Sequence, residues 1–324
     1  MSNDEGRPPK RPPERPRGRR GRGGGAADRA EHAGEGEPGF GTAVRARELP
    51  AKAEVRRARR KPRAKRTVAE LVGAVAGGEQ AFKDQDLRRL RAGGWFDELH
   101  GLVKGGKEAT VYLVTRGDTR LAAKVYADLE ARSFRSDAPY WEGLEFEDER
   151  LARVLKRRSR AGKRAKVALW VMREYSNLWR LHRAGVRVPV PALPAEPSAW
   201  AAAGAVVLME FVGVGDDPAP RLADLRLERA EAQAAFEQAA AAMVDLTRLG
   251  LVHGDLSTYN LLWHEGRVVI IDVPQLMDLR SGPFARELLE RDLTTLAATF
   301  GALGADVDPA DLRRRVEAAL PVLP

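Results

Sequence analysis

The sequence of 324 residues contains no cysteine, so disulfide bonds, thiolate metal sites and cysteine nucleophiles are excluded. It has no run of eighteen or more apolar residues, so we expect no transmembrane helix. Its first thirty residues lack the apolar centre of a signal peptide, so secretion is not expected. These absences fit a reducing environment and predict a cytoplasmic protein without membrane contact.

The net charge of +9 is concentrated at one end of the chain. Residues 1–66 contain 20 Lys and Arg against 9 Asp and Glu, a local net charge of +11, so the remainder sums to −2. This segment is poor in aromatic and β-branched residues and cannot bury enough apolar surface to offset the entropy of ordering. We expect a disordered basic tail. The Arg- and Gly-rich run at 18–25 suggests RNA or ribosome binding through phosphate contacts, and a merely solubilising role explains it equally well.

Beyond the tail, hydrophobic periodicity predicts a mixture of helices and strands. Thr67 and Glu70 form a capping-box pattern, so a helical segment should begin there and end near Gly93. The predicted strands are 110–115, 121–126, 205–211, 260–263 and 268–271. The predicted helices are 167–184, 228–250, 284–303 and 309–320. A polar, charged insertion separates strand 121–126 from helix 167–184, and a Val-Pro-Val-Pro connector follows that helix.

The strongest chemical signal is the segment from His253 to Asn260, followed by a hydrophobic strand that ends at Asp272. Asp255 and Asn260 lie five residues apart on one tight loop, so both can face the same cleft. Phosphoryl transfer from ATP needs one carboxylate to orient the acceptor, and an amide oxygen and a second carboxylate to hold Mg²⁺. The spacing matches this set. The competing interpretation is a solvated loop and an Asp that caps a strand.

A second cluster lies upstream. A Gly-Gly-Lys turn at 105–107 could place backbone N–H groups over phosphates, although glycine turns between strands are common. Lys124 lies in an apolar strand and could pair with Glu174 on the next helix, although lone Lys and Glu residues are usually solvated. The order of these features along the chain, which is that of kinases, favours the functional interpretation.

These motifs resemble the RIO-type atypical serine/threonine protein kinases over roughly residues 70–303. The matching pieces are GGKEATVYLV at 105–114, AAKVY at 122–126, REYSNLWRLHRAGVRVPVP at 173–191, VVLMEFVG at 206–213, DDPAPRL at 216–222 and LVHGDLSTYNLLWHEGRVVIIDVPQ at 251–275. The resemblance implies an α/β (α+β) kinase-like fold with two lobes, a small β-rich N-lobe and a reduced, mainly helical C-lobe. The expected domains are a tail at 1–66, a helical segment at 67–98, an N-lobe at 99–212 with a flexible insertion at 127–166, and a C-lobe at 213–324.

The resemblance also implies roles for individual residues. Asp255 is the expected catalytic carboxylate, and Asn260 and Asp272 are the expected ligands of Mg²⁺ or Mn²⁺. Asp272 could also accept a phosphate itself, which would make the protein an ATPase. The expected ATP contacts are Gly106, Lys107, Val111, Lys124, Glu174, Met209, Glu210, Val212, Asn260 and Asp272. Among these, Glu210 and Val212 would meet adenine through their backbones, and Met209 would border the adenine pocket. Independently of the resemblance, His253 could be a metal ligand or a base, but its place in the loop favours a structural hydrogen-bonding role.

The sequence departs from ordinary protein kinases in three respects, of which the third bears on the substrate. Gly254 stands where an Arg would precede the catalytic Asp, and Val273-Pro274 stands where Phe-Gly would follow the metal-binding Asp. Only 52 residues follow Asp272, too few for a full peptide-docking lobe. The protein substrate therefore stays open. The alternatives are a small-molecule kinase of the aminoglycoside or choline type, and an ATP-switched factor associated with RNA or the ribosome.

Overall fold

The computed structural model describes residues 71–72, 82–106, 109–126 and 159–321. The chain divides into two units, 1–61 and 62–324, and every described residue belongs to the second. The predicted tail, the predicted helix start at Thr67, Lys107 and most of the insertion 127–166 lie outside the described residues. Among the described helices, none combines the length and the apolar character that crossing a bilayer requires.

An antiparallel four-stranded sheet forms the first lobe, in the order β1-β2-β3-β4. Its strands are β1 (Glu98–Gly105), β2 (Ala109–Arg116), β3 (Thr119–Tyr126) and β4 (Val206–Glu210). The turn between β2 and β3 contains Gly117 at a φ of 54°, a conformation that glycine adopts without strain. The three predicted strands of this lobe are confirmed. β1 was not predicted from the sequence, because Gly101 and Lys104 interrupt the alternation of apolar residues that marks a strand.

Three helices flank this sheet: α1 (Gln85–Ala92), α2 (Arg160–Arg183) and α3 (Pro197–Ala203). α2 begins seven residues before the predicted start, because the Ser159 hydroxyl accepts a hydrogen bond from the Gly162 N–H and caps it. The Tyr175 hydroxyl accepts from the Leu208 N–H at 2.7 Å and donates to the Val206 carbonyl at 3.3 Å. These bonds fix α2 against β4.

The second lobe is mainly helical, which together with the sheet confirms the predicted fold class. Its long helices are α4 (Arg229–Arg248), α5 (Pro283–Leu303) and α6 (Pro309–Glu317). Its short strands are β5 (Gly213–Val214), β6 (Asp217–Pro218), β7 (Leu251–Val252), β8 (Leu261–His264), β9 (Arg267–Ile270) and β10 (Met277–Asp278). Phe236 on α4 meets Phe300 on α5 edge to face, with ring centroids 5.6 Å apart. Single 3₁₀ turns occur at Leu222–Asp224, Thr258–Asn260 and Leu279–Ser281.

The predicted extended connector links the two lobes. The Glu210 N–H donates to the Val190 carbonyl at 2.7 Å, and the Ile270 N–H donates to the Arg187 carbonyl at 3.0 Å. One short segment thereby contacts β4 of the first lobe and β9 of the second.

Candidate active site

The loop after β7 brings the first two predicted residues together. Asp255 is exposed. The Asn260 side-chain amide donates to the main-chain carbonyl of Asp255 at 2.8 Å and to Oδ2 of the Asp255 carboxylate at 3.0 Å. The Ser257 hydroxyl accepts from the Tyr259 N–H and starts the 3₁₀ turn that returns Asn260 towards Asp255. Because the amide nitrogen is used on Asp255, Oδ1 is the end of the Asn260 side chain that can ligate a metal.

The β8–β9 hairpin brings Asp272 to the same place. Asn260 precedes β8 and Asp272 follows β9, and the Ile271 N–H donates to the Asn260 carbonyl at 3.0 Å. A two-residue turn at Glu265-Gly266, with φ values of 50° and 72°, sets this register. Two residues that are twelve apart in the sequence are therefore held on adjacent backbones.

Asp272 has the left-handed φ of 63°, which is uncommon for a residue other than glycine. Such a conformation costs on the order of 1–3 kcal/mol and persists where the surroundings determine it. The next residue, Val273, is buried, and its carbonyl accepts from the Asn177 side chain at 2.8 Å. The backbone beyond Asp272 is thus fixed, and this sets the direction of the carboxylate.

Lys124 joins the two lobes. Its Nζ lies 2.6 Å from Oε1 of Glu174 and 2.9 Å from Oδ1 of Asp272. The Glu174 side chain is 1% exposed, whereas the Asp272 side chain is 39% exposed. The lysine therefore lies between a carboxylate sealed in the first lobe and one that faces the cleft.

The electrostatics of this cluster favour the charged lysine. Burial by itself lowers the pKa of Lys124, but the charges of Asp272 and Glu174 outweigh it and hold the pKa well above its ordinary value. Burial raises the pKa of Glu174, and the charge of Lys124 opposes this rise. Lys124 accordingly presents a permanent positive charge at the cleft.

Sequence reasoning missed Asp292, a carboxylate 1% exposed on α5. Its Oδ2 accepts from the Gly254 N–H at 2.7 Å and its Oδ1 from the Leu256 N–H at 3.0 Å. Burial raises the pKa of Asp292, while nearby His253 and the two N–H groups lower it. These bonds hold the backbone on either side of Asp255. The available signal was a charged residue, next to Leu293, among the otherwise apolar core-facing positions of the helix.

The predicted hydrogen-bonding role of His253 is not supported. The residue is buried, and neither ring nitrogen has a hydrogen-bond partner within the part of the chain that the structure describes.

The residues predicted to surround adenine lie where β4 leaves the sheet. Met209 is half-buried and packs between the main core and a small cluster that contains Phe211. The Val212 carbonyl accepts from the Ala219 N–H at 2.9 Å. The carboxylate of Glu210 is held by both terminal nitrogens of Arg187, at 2.7 and 2.8 Å.

Sequence reasoning missed Arg187. This residue belongs to the connector, 23 positions from Glu210, and a single charged residue beside the Val-Pro-Val-Pro segment gives no local indication of its partner. Oε2 of Glu210 also accepts from the Val190 N–H at 3.0 Å. The side chain and the N–H of Glu210 are thus both bound to the connector.

The glycine turn between β1 and β2 is tight. The Gly106 N–H donates to the Ala109 carbonyl at 2.9 Å, and a Cβ on Gly106 would lie 2.8 Å from that oxygen. Glycine is required there by close backbone approach. Val111 follows on β2, where it is half-buried and pairs across the sheet with Lys124. Val111 is therefore a cross-strand neighbour of the lysine.

A family model for the RIO domain matches residues 110–312, well over half of the chain. The chain belongs to the RIO family.

Three relatives illustrate its place among RIO proteins. It is 39% identical over 223 residues to the RIO-type serine/threonine-protein kinase Rio1 of Haloferax volcanii, covering 68% of this chain and 70% of that protein. It is 34% identical to serine/threonine-protein kinase RIO1 of Caenorhabditis elegans, over 68% of this chain and 40% of that protein. It is 28% identical to Rio1 of Thermoplasma acidophilum, over 64% of this chain and 98% of that protein. The RIO resemblance read from the sequence is confirmed.

The donor set fits a magnesium ion shared with a nucleotide. Among the described residues, no group of three or more His, Asp and Glu side chains could hold a metal ion alone. Mg²⁺ is commonly held by one or two protein oxygens together with phosphate oxygens and water. The Asp272 carboxylate and the Asn260 amide oxygen, on adjacent backbones, supply such a pair.

Proposed function

We propose that this chain is an ATP- and Mg²⁺-dependent serine/threonine protein kinase of the RIO type. The observation that carries the proposal is the position of Lys124, whose ammonium group contacts both a buried glutamate and the strand-end Asp272. A lysine without a function at the cleft is not expected to contact carboxylates of two separate lobes. Such contacts are expected of a lysine that binds phosphates beside a metal-binding carboxylate.

Each residue then has one task. Lys124 binds the α- and β-phosphates and is held by Glu174. Asn260 Oδ1 and Asp272 hold Mg²⁺, which when bound neutralises charge on the phosphates. Asp255, exposed and fixed by Asn260, accepts the hydrogen bond of the attacking hydroxyl and orients it.

The nucleotide base is proposed to lie against β4. Met209 would border the pocket, and the backbone groups of Glu210 and Val212 would meet adenine. Gly106, Lys107 and Val111 would cover the phosphates. The position of the turn supports this, because Gly106 is bonded to the Ala109 carbonyl and Ala109 pairs across the sheet with Tyr126, two residues from Lys124.

A second activity is favoured by the exposure of Asp272. Its carboxylate faces the cleft while Lys124 fixes one of its oxygens. We propose that the carboxylate can attack the γ-phosphorus, so that ADP leaves and an aspartyl-phosphate forms, which water then hydrolyses. The protein would in that case act as an ATPase.

The basic segment 1–66 favours a nucleic-acid partner. Its local net charge of +11 suits binding to RNA or a ribosomal particle through phosphate contacts. Deletion of residues 1–66 should abolish salt-sensitive retention on RNA and leave ATP binding intact. Unchanged retention would contradict a role of this segment in RNA binding.

The test of the proposed function is transfer of label from γ-labelled ATP with Mg²⁺, alone and with a generic basic protein. Wild type is compared with Asp255→Ala and Asp272→Ala, and with Asp306→Ala as a control, since Asp306 is an 82% exposed aspartate on the protein surface. Label on serine or threonine that is lost in the first two variants and kept in the control supports a protein kinase. Phosphate release, or hydroxylamine-labile label, that depends on Asp272 supports the ATPase. Absence of turnover in the wild type contradicts both.

A further inference from the structure

Tyr126 lies beside the Lys124–Glu174 pair, and no role has been assigned to it above. It follows Lys124 by two positions on β3, so both side chains project from the same face of the sheet towards α2. It is buried, and its hydroxyl donates a hydrogen bond to Oε2 of Glu174. Its ring centroid lies 5.2 Å from the Lys124 Nζ.

The two oxygens of Glu174 are divided between these neighbours. Oε1 binds Lys124, and Oε2 accepts from Tyr126. A carboxylate held at one oxygen can rotate about its last bond, whereas one held at both cannot. A buried carboxylate also needs both oxygens satisfied, because an unpaired buried acceptor is costly.

The ring adds a second restraint on the lysine. An ammonium group within about 6 Å of an aromatic ring is attracted by the quadrupole of the ring. Lys124 is therefore restrained by Glu174 and by the Tyr126 ring at once, and its direction towards Asp272 is set from two sides.

We propose that Tyr126 is a positioning residue for phosphoryl transfer, which orients Glu174 and through it Lys124; this rests on the proposed function. Tyr126 itself touches neither ATP nor the acceptor. Burial raises the pKa of Tyr126 well above its ordinary value, and the charge of Glu174 adds to the rise. The hydroxyl therefore keeps its proton and remains a donor.

The test is Tyr126→Phe, which removes one oxygen and keeps the ring. The matched control is Tyr175→Phe on α2, which removes another buried hydroxyl whose partners are the backbone of β4 rather than Glu174. Loss of a hydrogen bond to a charged group predicts a fall in kcat/KM for ATP of roughly tenfold or more in Tyr126→Phe. Tyr175→Phe should lower Tm to a similar degree and keep kcat/KM within about twofold of the wild type.

A double-mutant cycle identifies the route of the effect. If Tyr126 acts through Glu174, the same Tyr126→Phe change in a Glu174→Gln background should alter kcat/KM less than about threefold. Equal losses in both backgrounds, or equal turnover in Tyr126→Phe and Tyr175→Phe, would overturn the positioning role alone. A Tyr126→Phe protein without cooperative unfolding would also overturn it, because the hydroxyl would then serve folding. Wild type that does not turn over ATP would overturn the proposed function together with it.

Discussion

Replacement of Asp292 by alanine should damage both stability and turnover. The change removes the acceptor of two backbone N–H groups, at 2.7 and 3.0 Å, in a site that water does not reach. Each buried donor left without a partner costs about 1–3 kcal/mol. The pair would cost about 2–6 kcal/mol, and relief of the burial that raises the Asp292 pKa would offset part of this cost. We therefore expect a loss of about 3 kcal/mol in the free energy of unfolding.

The effect on turnover follows from the position of the two bonds. Gly254 and Leu256 flank Asp255, so loss of their shared anchor frees the loop that carries the proposed catalytic carboxylate. Misplacement of a catalytic group by about 1 Å can cost roughly a hundredfold in rate. We expect a fall of this order in kcat for Asp292→Ala, at temperatures where the variant remains folded.

The assays are denaturant unfolding followed by ATP turnover on the same preparation. Asp292→Asn, which keeps the shape and one acceptor, should lie between alanine and wild type in both measurements. Asp306→Ala, an exposed aspartate, should resemble wild type. If Asp292→Ala unfolds at the wild-type denaturant midpoint and turns over ATP at the wild-type rate, the proposed support of the loop by α5 is wrong.

Three further changes can be followed by unfolding experiments. Lys124→Met should lower the free energy of unfolding by about 3 kcal/mol, because Glu174 stays buried without its cation. Adding Glu174→Gln should recover part of this loss, and no recovery would contradict the assigned ion pair. Burial opposes ionisation of Glu210, but the Arg187 guanidinium outweighs burial and lowers the pKa of Glu210. The ion pair therefore stabilises the fold above the ordinary pKa of glutamate, and this stabilisation is lost as the pH falls through the lowered pKa. The difference between wild type and Glu210→Gln, about 1 kcal/mol or less at pH 7, should thus shrink below about pH 4, and a difference independent of pH would argue against the ion pair. Glu265→Gly should stabilise by about 0.5–1 kcal/mol because Glu265 has a φ of 50°, and destabilisation would show that its side chain makes a needed contact.

The parts of the site that were predictable are those written within short stretches of sequence. Asp255 and Asn260 are held by one turn, and the hydrophobic run that ends at Asp272 forms a hairpin with the strand after Asn260. Local spacing determines such contacts. The Lys124–Glu174 contact spans 50 residues, and it could be anticipated from the kinase-like order of the motifs along the chain, since a lone Lys or Glu gives no local indication of its partner.

The residues that were missed act through tertiary contacts without a local pattern. Asp292 reaches the loop from 36 to 38 positions away, and Arg187 reaches Glu210 from a connector that carries no periodicity. Tyr126 resembles an ordinary apolar strand residue until α2 brings Glu174 against it. The early start of α2 was missed because its first turns are polar, and only the Ser159 cap marks the boundary.

The central claim is that Lys124, Asp255, Asn260 and Asp272 form an ATP site that uses magnesium. The most direct measurement is calorimetric titration of the full chain with ATP, with and without Mg²⁺, for wild type, Asp272→Asn and the control Asp306→Asn. We expect Mg²⁺ to tighten ATP binding at least tenfold in the wild type and the control, and to have little effect in Asp272→Asn. Absence of ATP binding, or the same magnesium dependence in all three proteins, would contradict the claim.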